Sequence, residues 1–209
     1  MTEINTHAGN VRLVGGRLCL DFVNTVDDHA LASPKEYLAD YAALVAWGCH
    51  AGALSEGDAA ALLGERALRP RVAEEVLARA RGLRAALFRI FSATSAGRAV
   101  AAGDLAALND ALAGAPRRWR LAQLRARLAW QWDECGEPLD QPLWPVVWSA
   151  ADLLTAPEVA LVRACAGEGC GWLFVDASRN HTRRWCSMED CGNRAKARRH
   201  YAARKAEGG

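Results

Sequence analysis

The sequence predicts an α+β protein in two unequal parts: a mainly helical N-terminal domain with two antiparallel hairpins over residues 1–160, and a small treble-clef-like unit over residues 161–209. Three patterns predict it. Apolar residues recur at helical spacing in several stretches between residues 34 and 155, and alternation of period two appears around residues 11–23 and again around 118–133. Close to the C-terminus, four cysteines stand as Cys165-x4-Cys170 and Cys186-x4-Cys191, with fifteen residues between the pairs. At 209 residues, 51% of them hydrophobic, the chain has room for one ordinary globular domain and a small appendage.

Val11–Val14 and Arg17–Val23 are strand-like runs flanking Gly15-Gly16, a two-residue turn signal that predicts the first hairpin. In that reading Leu18, Leu20 and Phe22 share one face, and Asp21 is a carboxylate among the apolar neighbours of the other. Ser33-Pro34-Lys35-Glu36 has the form of a capping box and predicts a helix from there to about Trp47. Ser55-Glu-Gly-Asp58 repeats the signal for a helix to about Arg66. Pro70 opens a longer one, with Val72, Val76, Leu83, Leu87, Ile90 and Phe91 on a common stripe, and Asp104–Ala113 closed by Gly114 is a further short helix. The second hairpin follows: Trp119 and Leu121 alternate with Arg118, Arg120 and Ala122, and Leu128, Trp130 and Trp132 alternate with Ala129, Gln131 and Asp133. From Pro142 an apolar helix runs to about Thr155, carrying Trp144 and Trp148 toward Cys165. No Gly/Ser-rich or Pro-rich linker separates the parts, so the appendage is expected to dock and not to hang free.

The cysteine pairs carry the chemistry. Two thiolates at each end of a short segment close a tetrahedral Zn²⁺ site, and its binding free energy replaces the core that so small a segment lacks. One zinc per chain, held by Cys165, Cys170, Cys186 and Cys191, is expected. It is structural, because four sulfur ligands leave no place for water. His181 could in principle replace one cysteine. Gly167 and Gly169 let the first knuckle turn tightly, Trp172–Val175 and the stretch before Trp185 are β-prone, and Ala195–Lys205 is helix-competent. The other cysteines, Cys19, Cys49 and Cys135, read as reduced core thiols. With no signal peptide and no membrane-length apolar run, a cytoplasmic protein without a membrane partner is expected.

A net charge of +2 conceals a division. Residues 1–160 carry 16 Lys+Arg against 19 Asp+Glu, whereas residues 161–209 carry 10 against 5. The tail is the part suited to a polyanion. Its helix places Arg194, Arg198 and Lys205 near one face with Lys196, Arg199 and Arg204 flanking it. Asn193, Arg194, Lys196, Arg198 and Arg199, with Arg179, Arg183 and Arg184 ahead of the second knuckle, are candidate contacts to double-stranded DNA.

Cys191-Gly-Asn-Arg194, Trp185-Cys-Ser-Met188 and Phe174-x-Asp-x-Ser-Arg-Asn180 closely resemble the CGNR zinc-finger family, and Leu20-Asp21-Phe-Val-Asn24-Thr25 looks like the opening motif of the ABATE domain found in the same proteins. The resemblance covers nearly the whole chain, most specifically residues 165–200. It implies a bacterial stress-induced transcription regulator with a sensory N-terminal domain and a DNA-binding finger. Asp21, Asn24 and Thr25, leaving one strand together beside the tryptophan-rich elements, are the candidate small-ligand site. The same three residues could instead cap a strand. No nucleophile elbow, phosphate loop or dinucleotide fingerprint is present, so a binding protein and not an enzyme is expected. A protein- or RNA-interaction module is the alternative, and a homodimer is compatible with either reading.

Overall fold

A computed structural model describes residues 6–27, 34–115, 119–124, 127–132 and 137–207. Ser33, Arg118, Asp133 and Cys135 lie outside them. Seven α-helices and two antiparallel strand pairs occur among the described residues: α1 Leu18–Val23, α2 Tyr41–His50, α3 Glu56–Leu68, α4 Pro70–Ser95, α5 Ala102–Gly114, β1 Trp119–Leu124, β2 Arg127–Trp132, α6 Trp144–Thr155, β3 Val162–Ala164, β4 Leu173–Val175 and α7 Asn193–Glu207. The α+β class stands, with both antiparallel pairs present. One of them is not where the alternation placed it.

The Gly15-Gly16 region does not turn back as a hairpin. Gly16 takes φ +77°, and the next six residues coil into α1, burying Cys19, Leu20, Phe22 and Val23. A run that is apolar at nearly every position satisfies both periods. The tertiary contacts choose between them. Asp21 is the carboxylate that closes this corner, accepting the Gly15 N–H at 2.8 Å. Gly15 admits no side chain, since a Cβ there would lie 2.7 Å from Leu20 Cβ and 2.8 Å from the Asp21 backbone nitrogen.

Helix α2 starts at Asp40, whose carboxylate accepts the Ala43 N–H at 2.8 Å, and not near Ser33. Glu36 is engaged elsewhere. It bridges to Val26 in an extended segment and receives the buried Arg84 guanidinium at 2.7 and 2.5 Å. Helix α3 carries the expected capping box, Ser55 with Asp58, and Pro70 occupies the first turn of α4. At 26 residues α4 is the spine of the molecule: Val76, Leu83, Leu87, Ile90 and Phe91 are buried along it, and α1, α2, α3, α5 and β3 pack around it. Arg89 clamps α5 to this spine through Asp104 at 2.6 Å. Phe22 of α1 meets Trp47 of α2 with ring centroids 5.2 Å apart in a tilted arrangement.

Strands β1 and β2 pair Trp119 with Trp132 and Leu121 with Trp130, as the alternation predicts. Paired positions share a face. The helix expected from Pro142 begins at Trp144, after a 3-10 turn over Pro138–Leu143. Strand β4 pairs with β3, Leu173 opposite Ala164 and Val175 opposite Val162; the stretch before Trp185, expected to be extended, forms no strand. Its backbone is held by separate bonds instead, the Arg184 carbonyl accepting from Ala166 N–H at 2.8 Å and the Arg183 N–H donating to the Asp176 carboxylate at 2.9 Å.

Candidate metal centre and basic helix

Four structural decisions converge on one point. The β3–β4 pair delivers Cys165 and Cys170 at its open end, with Cys165 N–H donating to the Trp172 carbonyl at 2.8 Å. The first knuckle needs glycine at 167, where a Cβ would stand 2.9 Å from Cys191 Sγ. Cys186 arrives on the loop after β4, and Cys191 sits in a turn over Met188–Gly192 that runs into α7. The four sulfurs lie within 4.8 Å of one another, and all four residues are buried.

The spacing is that of a metal site. A tetrahedral zinc with Zn–S of about 2.3 Å sets its sulfurs about 3.8 Å apart; Cys170 Sγ lies 3.6 Å from Cys186 Sγ, and Cys186 Sγ 3.8 Å from Cys191 Sγ. Without a cation the cluster is electrostatically frustrated. Hydrogen bonds from Cys170 and Cys186 pull the Cys165 thiol far below its usual range, while the neighbouring Cys165 sulfur pushes both Cys170 and Cys186 up. A divalent ion removes this conflict, because all four sulfurs can then be thiolates. Zinc is the structural cofactor, with every position taken. His181 is not among the ligands: its Nδ1 lies 2.9 Å from the Asp176 carbonyl oxygen.

A surrounding shell of donors answers the surplus negative charge of four thiolates. Gly167 N–H points at Cys165 Sγ at 3.4 Å, Cys186 N–H reaches the same sulfur at 3.3 Å, and Arg194 Nη2 donates to Cys191 Sγ at 3.1 Å. The four residues Cys191–Arg194 therefore have distinct tasks. Cys191 ligates; Gly192 leaves room for the Met188 thioether, whose sulfur would stand 2.5 Å from a Cβ; Asn193 donates to the Glu189 carbonyl at 3.0 Å; and Arg194 neutralises the thiolate.

Of the candidate nucleic-acid contacts, the structure engages some within the fold. Arg183 lies 4.2 Å over the Phe174 ring and donates to the carbonyls of Trp185, Cys186 and Val14 at 3.0, 2.5 and 3.3 Å. Arg194 and Asn193 hold the knuckle, and Arg198 pairs with Glu168 of the first knuckle. Arg179, Arg184, Lys196 and Arg199 are exposed. Asp176 bonds neither Arg184 nor Arg194. It accepts from Ser178 Oγ at 2.5 Å, Ser178 N–H at 3.0 Å and Arg183 N–H at 2.9 Å, and the Ser178 hydroxyl foremost keeps it a carboxylate.

Asp21, Asn24 and Thr25 are brought together, though with backbone partners. Asn24, fully buried, donates to the Leu173 carbonyl and accepts the Leu173 N–H, both at 2.9 Å, so that its amide serves β4 as a third strand would. Thr25 donates to the Phe22 carbonyl at 2.7 Å and accepts from Arg84 at 3.1 Å. None of the three lines the cavity of about 430 Å³ between α4, α5 and α6. They are the joint between the two parts of the chain. Val175 N–H donates to Gly15 at 2.9 Å, Trp172 Nε1 to Val26 at 2.9 Å, and Arg12 reaches Asp190 at 2.9 Å and Glu189 at 3.3 Å. The expected connector, α6, bears on this joint through α1, to which Ser149 is tied by a 3.1 Å bond from Cys19 N–H. Sequence reasoning missed Arg12 and Glu168. Neither carries a local signal, since Arg12 meets its Ser187 partner across 175 residues.

Comparison with known proteins agrees with this anatomy. A family model described as "putative stress-induced transcription regulator", ABATE, matches residues 16–157, and that of the CGNR zinc finger matches residues 162–204. No curated protein matches the chain.

Proposed function

The chain belongs to the ABATE family and ends in a CGNR zinc finger, and from that footing we propose that it binds double-stranded DNA through α7 and regulates transcription. The observation that carries the reading is the character of that helix. It extends over fifteen residues from the zinc knuckle, makes its described side-chain bonds to the finger through Asn193, Arg194 and Arg198, and carries Arg194, Lys196, Arg198, Arg199, Arg204 and Lys205 against the single acid Glu207. A long helix this polar has no reason to persist in solution for its own burial. It suits a helix that lies against phosphates.

With Arg183 and Arg194 committed to the finger, Lys196, Arg199 and Arg204 are the phosphate contacts on the helix, and Arg179 and Arg184 extend the basic surface. Arg198 can exchange Glu168 for a phosphate, an exposed pair whose loss costs little. The zinc sets the direction in which α7 leaves the molecule. Asn24 and its neighbours hold that direction relative to the larger domain.

Fluorescence anisotropy of a labelled duplex between about 50 and 200 mM salt tests the proposal. Binding should weaken steeply with salt, and Lys196→Ala with Arg199→Ala and Arg204→Ala should flatten the slope by roughly 0.9 per lost contact while zinc content and melting temperature stay unchanged. Salt-insensitive binding, or none, would leave the finger as a protein-interaction module.

A further inference from the structure

We infer that the loop Ala177–Arg184 is a second contact of the finger with the duplex, and that Asn180 and His181 on it read base edges while α7 holds phosphates. The inference rests on the DNA-binding reading and adds to it the element that discriminates sequence.

The loop has a fixed shape. Its foundation is Asp176, fully buried, whose carboxylate gathers the N–H groups of Ser178 and Arg183 and the Ser178 hydroxyl. The Ser178 hydroxyl oxygen accepts in turn from Thr182 N–H at 3.3 Å, and the Ser178 carbonyl from His181 N–H at 3.1 Å. His181 closes the turn at φ +50°, the one positive φ of a non-glycine among the described residues. Such a conformation persists where its surroundings fix it, so the loop has little conformational entropy left to lose on meeting a partner.

Its outward side chains are those that distinguish bases. Arg179, Asn180, His181 and Thr182 are exposed, and among the described residues the Asn180 side chain has no partner. An amide presents a donor and an acceptor side by side, the pattern that matches the N6 and N7 edge of adenine. His181 Nδ1 lies 2.9 Å from the Asp176 carbonyl, which can only accept, so Nδ1 is the donor and the neutral ring keeps Nε2 as an acceptor suited to the amino group of cytosine or adenine. Arg179 stands before this pair and Arg184 after it, the latter guanidinium 5.3 Å over the Trp185 ring, where both can take phosphate oxygens. On α7, by contrast, the single amide, Asn193, is turned back to the Glu189 carbonyl.

Loop and helix flank one narrow support. The Arg184 carbonyl accepts the Ala166 N–H at 2.8 Å and Arg198 pairs with Glu168, so both elements are held on the first knuckle two residues apart. Two residues span about 7 Å at most, less than the roughly 12 Å width of a major groove. One duplex can meet both.

Selection from a pool of duplexes of randomised sequence by the full zinc-loaded chain, followed by anisotropy on the enriched duplex and on a scrambled one, tests this. The wild-type protein should enrich a defined sequence and prefer it. Asn180→Ala with His181→Gly, glycine adopting the φ of +50° freely, should keep zinc content, melting temperature and salt dependence while lowering that preference roughly tenfold or more. Lys196→Ala with Arg199→Ala should do the reverse, flattening the salt dependence and sparing the preference. Should the double loop variant melt early, Asn180→Ala alone, which removes no described bond, should still lower the preference. Failure of the wild-type protein to bind any duplex would overturn the DNA-binding reading and this inference with it. Duplex binding without an enriched sequence, or a preference that survives the loop substitutions, would overturn this inference alone.

Discussion

Replacing Asn24 by alanine should loosen the joint between finger and domain, at a cost that the structure allows to be worked out. Its amide makes two 2.9 Å bonds to the Leu173 backbone, and both residues are fully buried. Alanine leaves a peptide N–H and a carbonyl without partners away from water. At about 2 kcal/mol for each buried unsatisfied group the loss is roughly 4 kcal/mol, a large fraction of the 5–15 kcal/mol that typically holds a domain together. Denaturant titration of the zinc-loaded protein measures it, and hydrogen exchange localises it, because the Leu173 amide should lose protection while amides in the middle of α4 keep theirs. Asn24→Asp refines the test. Its carboxylate can still accept the Leu173 N–H but opposes the Leu173 carbonyl, so the penalty should match or exceed that of alanine at about pH 7 and shrink toward about pH 5 as the acid regains a proton to donate. A loss below about 1 kcal/mol for Asn24→Ala, with Leu173 still protected, would refute the view that this side chain fastens the finger.

Two further outcomes are expected. The purified protein should contain one zinc per chain by elemental analysis, and Cys186→Ser should release it and unfold the tail while far-ultraviolet dichroism retains most of the helical signal; full metal retention would remove the site. Burial, opposed by the amides of Gly15 and Val14, pushes the Asp21 carboxyl from its ordinary 3.8 up to about 6. The folded protein therefore holds a proton there that the unfolded chain releases, and this group's contribution to stability declines as pH rises from about 4 through about 6. Asp21→Asn keeps an acceptor for Gly15 N–H and removes the ionisation, so urea midpoints of variant and wild type should diverge in the variant's favour across that window, whereas a constant difference would show that Asp21 does not titrate there.

The sequence by itself determined the metal centre and most of the helices. Cys165, Cys170, Cys186 and Cys191 are legible because their spacing is a local constraint: chain length between ligands fixes what can close around one ion, whatever else the chain does. Ser55 with Asp58, Pro70, and the stripe from Val76 to Phe91 are equally local, and so is the alternation that became β1 and β2. Only the tertiary structure decided the segment from Val11 to Thr25. Leu18–Val23 is apolar at almost every position, so both periods fit it, and the choice of helix lay with Asp21 closing on Gly15, Phe22 packing on Trp47 and Asn24 reaching Leu173. The polar trio that reads as a ligand site when seen alone is engaged within the fold, Asn24 by the Leu173 backbone 149 residues away, Asp21 by Gly15 and Thr25 by Phe22 and Arg84, and Arg183 and Arg194, which read as free cations, are drawn to carbonyls and a thiolate. Burial and hydrogen-bond demand depend on what the chain brings alongside, and residue type states only what a side chain is able to do there.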